Sequence, residues 1–259
     1  MSKTNNPVKT QIWLVTGANS GIGLAITKQL LESGDSIAVV GIDKDIDQLE
    51  KIETVGGNLV VFKCNLQDTD QISLVFQKIL SHDKLGRVDV LVNNAGKGGC
   101  KGILDMSAAD LTSMAQVNLL APTICSQLAV QSMAANGGCG HIVNVLSVWA
   151  WTVPSREYTH FYSATKHALR TVAECIRIEV ASRNLKIKVT NVSPGPVETN
   201  FNYNSMPDRA EAERVFGGVK NYTRLTAEEV AKAVISSVKS PSNVQVNDVI
   251  LSPVGYLTC

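Results

Sequence analysis

The segment Tyr162-Ser163-Ala164-Thr165-Lys166 holds the residue types best suited to proton transfer in this chain. On a helix, positions i and i+4 share a face, so the phenol and the ammonium would lie side by side. A free tyrosine has a pKa of about 10 and is a poor base at neutral pH. A neighbouring ammonium favours the phenolate and is expected to lower that value. Such a pair can exchange a proton with an alcohol or carbonyl oxygen. Ser147 directly follows the apolar run His141–Leu146, where its hydroxyl could hold the reacting oxygen. Asn118 falls inside a helical stretch, where asparagine is disfavoured. Buried there it would need partners, a water among them.

A second chemical feature lies near the start, at Thr16-Gly17-Ala18-Asn19-Ser20-Gly21-Ile22-Gly23. Glycines allow positive φ and close backbone approach. A helix beginning here offers free N–H groups and a positive dipole end to a pyrophosphate. The turn follows a strand, opens a helix and sits in a β-α-β unit, which is the setting of dinucleotide binding. Gly41-Ile42-Asp43 ends the next strand. Asp43 could hold adenosine ribose hydroxyls or simply cap the next helix as a solvated turn aspartate. Asn65-Leu66 and Asn94-Ala95-Gly96 end two further strands at the same rim.

These residues need a scaffold, and the apolar pattern supplies one. Short apolar runs at Gln11–Thr16, Ile37–Gly41, Leu59–Lys63, Val88–Asn93, His141–Leu146, Ile187–Val192 and Val249–Leu251 read as buried strands. Helical spacing predicts Gly21–Glu32, Asp68–Ser81, Ala108–Val117, Ala121–Ala135, Tyr162–Ser182 and Thr226–Val238, with a break near Pro122. A polar helix is expected at Asp45–Val55. Thr226 before Glu228 and Glu229 reads as a helix cap. The alternation predicts a parallel sheet with helices on both faces, in one domain. Residues Ser193–Leu225 lack a clear period, apart from a short helix expected at Asp208–Val215. A stretch this long inside a compact domain is usually functional or mobile.

Composition narrows the function classes. The chain has 259 residues, 44% hydrophobic, with net charge +1. That charge gives no broad basic field, so nucleic-acid binding is not expected. The polar start Met1–Thr10 lacks the core of a secretion signal, and no run is long enough to span a bilayer. The expectation is a soluble cytoplasmic protein without membrane binding. Six scattered cysteines read as free thiols, and neither they nor the four histidines show zinc-ligand spacing. We expect no metal.

With the glycine turn, Asn93-Asn94-Ala95-Gly96, Asn118, Ser147, Tyr162, Lys166 and Pro194-Gly195 in this order, the sequence resembles the short-chain dehydrogenase/reductase family over nearly its whole length. The resemblance implies a Rossmann-like doubly wound sheet of about seven strands in a three-layer α/β/α arrangement. It also implies an alcohol dehydrogenase or ketoreductase that uses NAD or NADP. Tyr162 would be the general acid/base, and Ser147 would hold the substrate oxygen. Lys166 would lower the tyrosine pKa and bind the nicotinamide ribose, and Asn118 would hold a relay water. Cofactor contacts carried over are Gly17, Asn19, Ser20, Gly21, Ile22, Gly23, Asp43, Asn65, Leu66, Asn94, Ala95, Gly96, Tyr162, Lys166, Pro194, Gly195, Val197 and Thr199. Thr199 would lie near the nicotinamide carboxamide. Relatives often carry Asp where this chain has Asn65. NADP users usually carry Arg where this chain has Ile42, and many NAD users carry Asp at Gly41. The apolar Ile42 and nearby Asp43 favour NAD.

The segments Thr159–Lys166 and Ser193–Thr199 are similar to the dehydrogenase/reductase member 11 group, with its farnesol and 17-beta-hydroxysteroid dehydrogenases. That implies a lipophilic alcohol or ketone, such as a terpenol or steroid. Lys97, Trp149, Trp151, Val153, Phe201 and Tyr203 are candidates for the pocket wall, in mostly apolar surroundings. The substrate loop would span about residues 194–225. His160 should turn away from the Tyr162 face. In relatives the two helices Ala121–Ala135 and Tyr162–Ser182 pack between subunits, implying a homodimer or homotetramer. Three other readings stay open: an NADPH-dependent carbonyl reductase, a dinucleotide-binding protein without turnover, and a lyase or epimerase using transient oxidation.

Overall fold

The computed structural model describes residues 10–33, 37–54, 58–99, 101–155, 157–206, 208–214 and 222–256. Outside them lie Met1–Lys9 of the polar start, Val55, Val215, Cys100 and Cys259.

Among the described residues, seven strands form one parallel sheet. They are β1 (Gln11–Thr16), β2 (Ile37–Asp43), β3 (Asn58–Lys63), β4 (Val90–Asn93), β5 (Cys139–Val145), β6 (Lys186–Pro194) and β7 (Asp248–Leu251). Their order is β3-β2-β1-β4-β5-β6-β7. Central positions such as Leu14, Val40, Val92 and Val143 are all fully buried. Strands covered on both faces cannot alternate polar with apolar residues, which is why these runs read as continuous. Helices α2 (Thr69–Ser81), α4 (Ala121–Ala135) and α5 (His160–Ser182) cover one face, burying Ile72, Phe76, Ala129 and Ala173. Helices α1 (Gly21–Glu32) and α7 (Ala227–Val238) cover the other with Ile26, Leu30, Val230 and Val234. The result is the expected Rossmann-like doubly wound, three-layer fold. At the start of α7, Thr226 Oγ1 accepts from Glu229 N (3.1 Å) while Glu229 Oε2 accepts from Thr226 N (2.8 Å). That reciprocal box satisfies two otherwise free helix-start donors.

Two expectations need correction. Residues 45–54 form turns, not a helix. The Asn19 side chain accepts from Gln48 N and Leu49 N, and Leu49 is buried beneath Gly41. Those tertiary bonds capture the donors at this point, and the segment has little apolar face of its own to favour a helix. The break between α3 (Ala108–Ala115) and α4 is not at Pro122. It is a π-helical turn at Gln116–Leu120, closed by Ala121 N to Gln116 O. Pro122 sits in the first turn of α4, directly after this π-helical turn, and brings no N–H for the Asn118 carbonyl four residues earlier. The short helix α6 spans Arg209–Ala212.

A polar row crosses the sheet just below the site. Asn93 Nδ2 donates to Asn144 Oδ1 (2.9 Å), Asn144 Nδ2 to Asn191 Oδ1 (3.2 Å), and Asn191 Nδ2 to Asp248 Oδ1 (3.0 Å). These residues are register partners across β4, β5, β6 and β7. A one-residue slip would leave buried amides unpaired, so the row holds the strand ends level.

At the opposite end of the sheet, His141 is buried, with Nε2 against Thr190 Oγ1 at 2.8 Å. Burial, then the Lys188 charge, pushes its pKa from 6.5 down to about 3. The folded chain therefore binds His141 as neutral imidazole. The associated stability is present above the unfolded value and is lost as pH falls toward the folded one. Between neutral pH and pH 5 this group should remove about 2 kcal/mol. His141→Gln should flatten that part of the curve, read as the urea midpoint against pH.

Candidate active site

The strand order reverses between β1 and β4, which opens a crevice at the carboxyl ends of the strands. The glycine turn lines one side. Gly17 (φ 65°) and Gly21 (φ 49°) take the left-handed backbone that glycine tolerates. Gly23 is glycine for space: a Cβ there would stand 2.2 Å from the Gly17 carbonyl oxygen. Ser20 caps α1 by position, yet its exposed side chain makes no capping bond, and the first turn carries no acid. The positive end of α1, through Gly21, Ile22 and Gly23, is thus left for an anion. Thr199 Cγ2 stands over Gly21, 3.2 Å from where a Cβ would be. A pyrophosphate fits this cradle.

The other side is braced from β4. Asn94 Nδ2 donates to Thr16 O (2.9 Å) and Gly17 O (3.2 Å). Thr16 Oγ1 accepts from the backbone N–H groups of Asn94 and Ala95, both at 3.0 Å. Both amide hydrogens of Asn94 are spent inside the protein, so its side chain shapes the turn. Thr16 was not among the candidate residues. Its signal was a hydroxyl ending an apolar strand beside the glycines.

Asp43 Oδ2 accepts from Asn19 N (3.1 Å), and Oδ1 from Lys44 N (2.7 Å). Burial raises its pKa, partly opposed by hydrogen bonds from Asn19, Lys44 and Asp45. The carboxylate thus joins the end of β2 to the glycine turn. Asn65 Oδ1 accepts from Gln67 N (3.1 Å) in a turn leading to α2, and Leu66 is buried beside it. Past β6, Gly195 N donates to Leu251 O (2.7 Å), and Val197 bridges Leu225. Pro194, Gly195 and Val197 are therefore held at the rim.

Tyr162, Ser147 and Lys166 come together at the end of β5. The helix α5 begins at His160, so Tyr162 lies in its first turn. Ser147 caps a short 3-10 turn at Val148–Ala150, its Oγ accepting from Trp149 N (3.2 Å), and its hydroxyl lies near enough to the Tyr162 phenol to favour the phenolate. Lys166 Nζ lies 5.6 Å from the Tyr162 ring centre and donates to Val145 O (2.9 Å). The expected lowering of the phenol does not hold in this arrangement. Burial pushes Tyr162 up, opposed by the Ser147 hydroxyl, and burial pushes Lys166 down to about 8. Each charged form loses water, and the ammonium spends a hydrogen on a carbonyl.

Asn118 lies fully buried in the π-helical turn. Its Oδ1 accepts from Lys97 N (2.7 Å), and Nδ2 donates to Lys97 O (2.8 Å) and Thr165 Oγ1 (3.1 Å). Gly96 sits where a Cβ would meet Phe201 (3.5 Å), Asn118 Oδ1 (3.6 Å) and Lys166 Nζ (3.7 Å).

The aromatic candidates divide. Trp149 and Phe201 meet Tyr162 edge-on, at ring distances of 6.2 and 5.7 Å. Trp151 turns away, donating to Ser193 Oγ (3.1 Å) beneath Arg170. Val153 is 70% exposed. Tyr203 packs beside Met206 and Ala212. Lys97 Nζ reaches Ser113 Oγ (2.9 Å), on the side of α3. His160 Nε2 bonds Pro154 O (2.9 Å), in line with a structural part.

A sequence profile described as short chain dehydrogenase matches residues 11–210. The chain belongs to the short-chain dehydrogenase family. The dehydrogenase is 34% identical over 258 residues to Dehydrogenase/reductase SDR family member 11 of Mus musculus, covering 96% of each chain. It is 33% identical to the farnesol dehydrogenase of Aedes aegypti, covering 95% of this chain and 96% of that one. Among solved structures it is similar to an alcohol dehydrogenase of Thermococcus sibiricus complexed with 5-hydroxy-NADP. That match has a TM-score of 0.79 and 26% identity, covering 96% of this chain and 98% of that one. It is also similar to a 4-hydroxyisoleucine dehydrogenase complexed with NADH. There the TM-score is 0.77 and the identity 25%, covering 93% and 97% of the two chains. The dehydrogenase is thus an NAD(P)-dependent oxidoreductase. No described helix is long and apolar enough to cross a membrane.

Proposed function

We propose that this dehydrogenase interconverts a primary or secondary alcohol and its aldehyde or ketone, with NAD preferred over NADP. The observation that carries the reading is the convergence of the buried side chains of Ser147, Tyr162 and Lys166 at the end of β5, with Lys166 Nζ 5.6 Å from the Tyr162 ring centre. When bound, the nicotinamide accepts or supplies the hydride. Ser147 holds the substrate oxygen. Tyr162 gives that oxygen a proton in reduction and takes one in oxidation. Burial keeps the resting phenol protonated, the form that donates in the reduction direction. Lys166, driven to about 8, is still charged at neutral pH and offsets the phenolate when it forms. Asn118 has spent both side-chain hydrogens, and Pro122 offers its carbonyl no α-helical donor. We therefore assign a relay water to the main-chain oxygen of Asn118.

The NAD preference rests on Asp43. Its carboxylate at the end of β2 suits ribose hydroxyls and repels a 2′-phosphate, and no arginine stands at Ile42. The lipophilic substrate class, a terpenol or steroid, rests on the Trp149 and Phe201 edges around Tyr162 and on the likeness to a farnesol dehydrogenase. A homodimer or homotetramer formed through α4 and α5 would cover Ile178, which is 63% exposed. Fluorescence titration should show NADH binding about tenfold or more tighter than NADPH. Asp43→Ala should narrow that ratio. Tighter NADPH binding would overturn the preference, and binding of neither would overturn the cofactor reading.

A further inference from the structure

Two hydroxyls stand between Tyr162 and Lys166, and neither faces the reacting oxygen. Residues two apart on a helix point to nearly opposite sides. Ser163, 1% exposed, donates to Trp149 O (2.7 Å), with Thr152 O at 3.2 Å. Both carbonyls belong to the loop that begins with Ser147. Thr165, 4% exposed, donates to Tyr162 O (2.7 Å) and accepts from Asn118 Nδ2 (3.1 Å). Through Asn118 that bond reaches the backbone of Lys97, beside Gly96.

We propose that Ser163 and Thr165 are positioning residues acting on separate parts of the site. Ser163 fixes the Ser147 loop against the tyrosine helix. Thr165 fixes the Asn118 turn, and with it the Gly96–Lys97 segment that follows β4. This rests on the reading of Tyr162 and Ser147 as the reacting pair. The first turn of α5 is then a hub that carries the tyrosine and holds its two neighbours in register. A loss of geometry on the order of 1 Å can lower turnover about 100-fold.

Each tie has its own reporter in the cofactor-free chain. Trp149 and Trp151 lie in the Ser147 loop, while Trp13 is 1% exposed, so acrylamide quenching of tryptophan fluorescence reads the loop. Hydrogen exchange at the Lys97 amide, which donates to Asn118 Oδ1, reads the other side. Ser163→Ala should at least double the quenching and leave Lys97 exchange unchanged. Thr165→Val should speed Lys97 exchange about tenfold or more and leave quenching unchanged. Both should lower kcat for whichever alcohol the dehydrogenase oxidises, about tenfold or more, with NADH affinity kept. Ser163→Thr and Thr165→Ser keep the hydroxyls and should behave as the wild type in every readout. If the two reporters move together, or not at all, the proposal falls. It also falls if the hydroxyl-keeping variants fail like the others. Turnover surviving in Tyr162→Phe would instead overturn the underlying reading, whatever the two reporters show.

Discussion

Tyr162→Phe is expected to lower turnover at least about 1,000-fold while NADH affinity stays within about twofold. The substitution removes one oxygen and leaves the ring that meets Trp149 and Phe201. What it takes away is the hydroxyl beside Ser147, so the substrate oxygen loses its proton partner. The buried ring is kept and no volume is added, so the chain should still fold. Steady-state turnover, NADH fluorescence titration and a melting curve on one preparation would check all three parts. A variant that binds NADH and still turns over would remove Tyr162 from the mechanism.

The second large effect is expected at Gly23. An alanine Cβ would stand 2.2 Å from the Gly17 carbonyl oxygen, 2.5 Å from Asn94 Nδ2 and 2.8 Å from the Gly17 carbonyl carbon. Two of those atoms are backbone and cannot swing aside. Either α1 moves off the turn, or the Asn94 bonds to Thr16 O and Gly17 O break. Overpacking of this kind costs about 1–3 kcal/mol of stability. NADH affinity should fall about 100-fold, because the helix start and the glycine turn no longer face one anion. Gly41→Ala is the control. Its nearest obstacle, at 2.9 Å, is the end of the Leu49 side chain, which can rotate. It should keep most NADH affinity. An equal loss at both positions would show that the clash at Gly23 is not the cause.

How much was legible beforehand depends on how local each feature is. The strands, the main helices and the Thr226 cap were written in residues within a few positions of one another. Apolar runs, 3.6-residue spacing and a Thr-x-x-Glu box all act inside one turn or strand. The glycine turn was legible for the same reason, since Gly17 and Gly21 answer a backbone requirement at their own positions. Tyr162 and Lys166 shared a helix face by spacing alone.

What the sequence by itself determined, then, was the order of elements, the parallel sheet and the residues available at its rim. The tertiary structure decided what those residues do to one another. It turned residues 45–54 into a turn because Asn19, far earlier in the chain, captured their backbone donors. Across 78 residues it spent the Asn94 side chain on Thr16. It aligned Asn93, Asn144, Asn191 and Asp248 into one row. It also set the pKa of Tyr162, where removal from water outweighed the lysine that sequence spacing had put beside it. Hydrogen-bond partners and desolvation belong to the packed interior, and no window along the chain contains them.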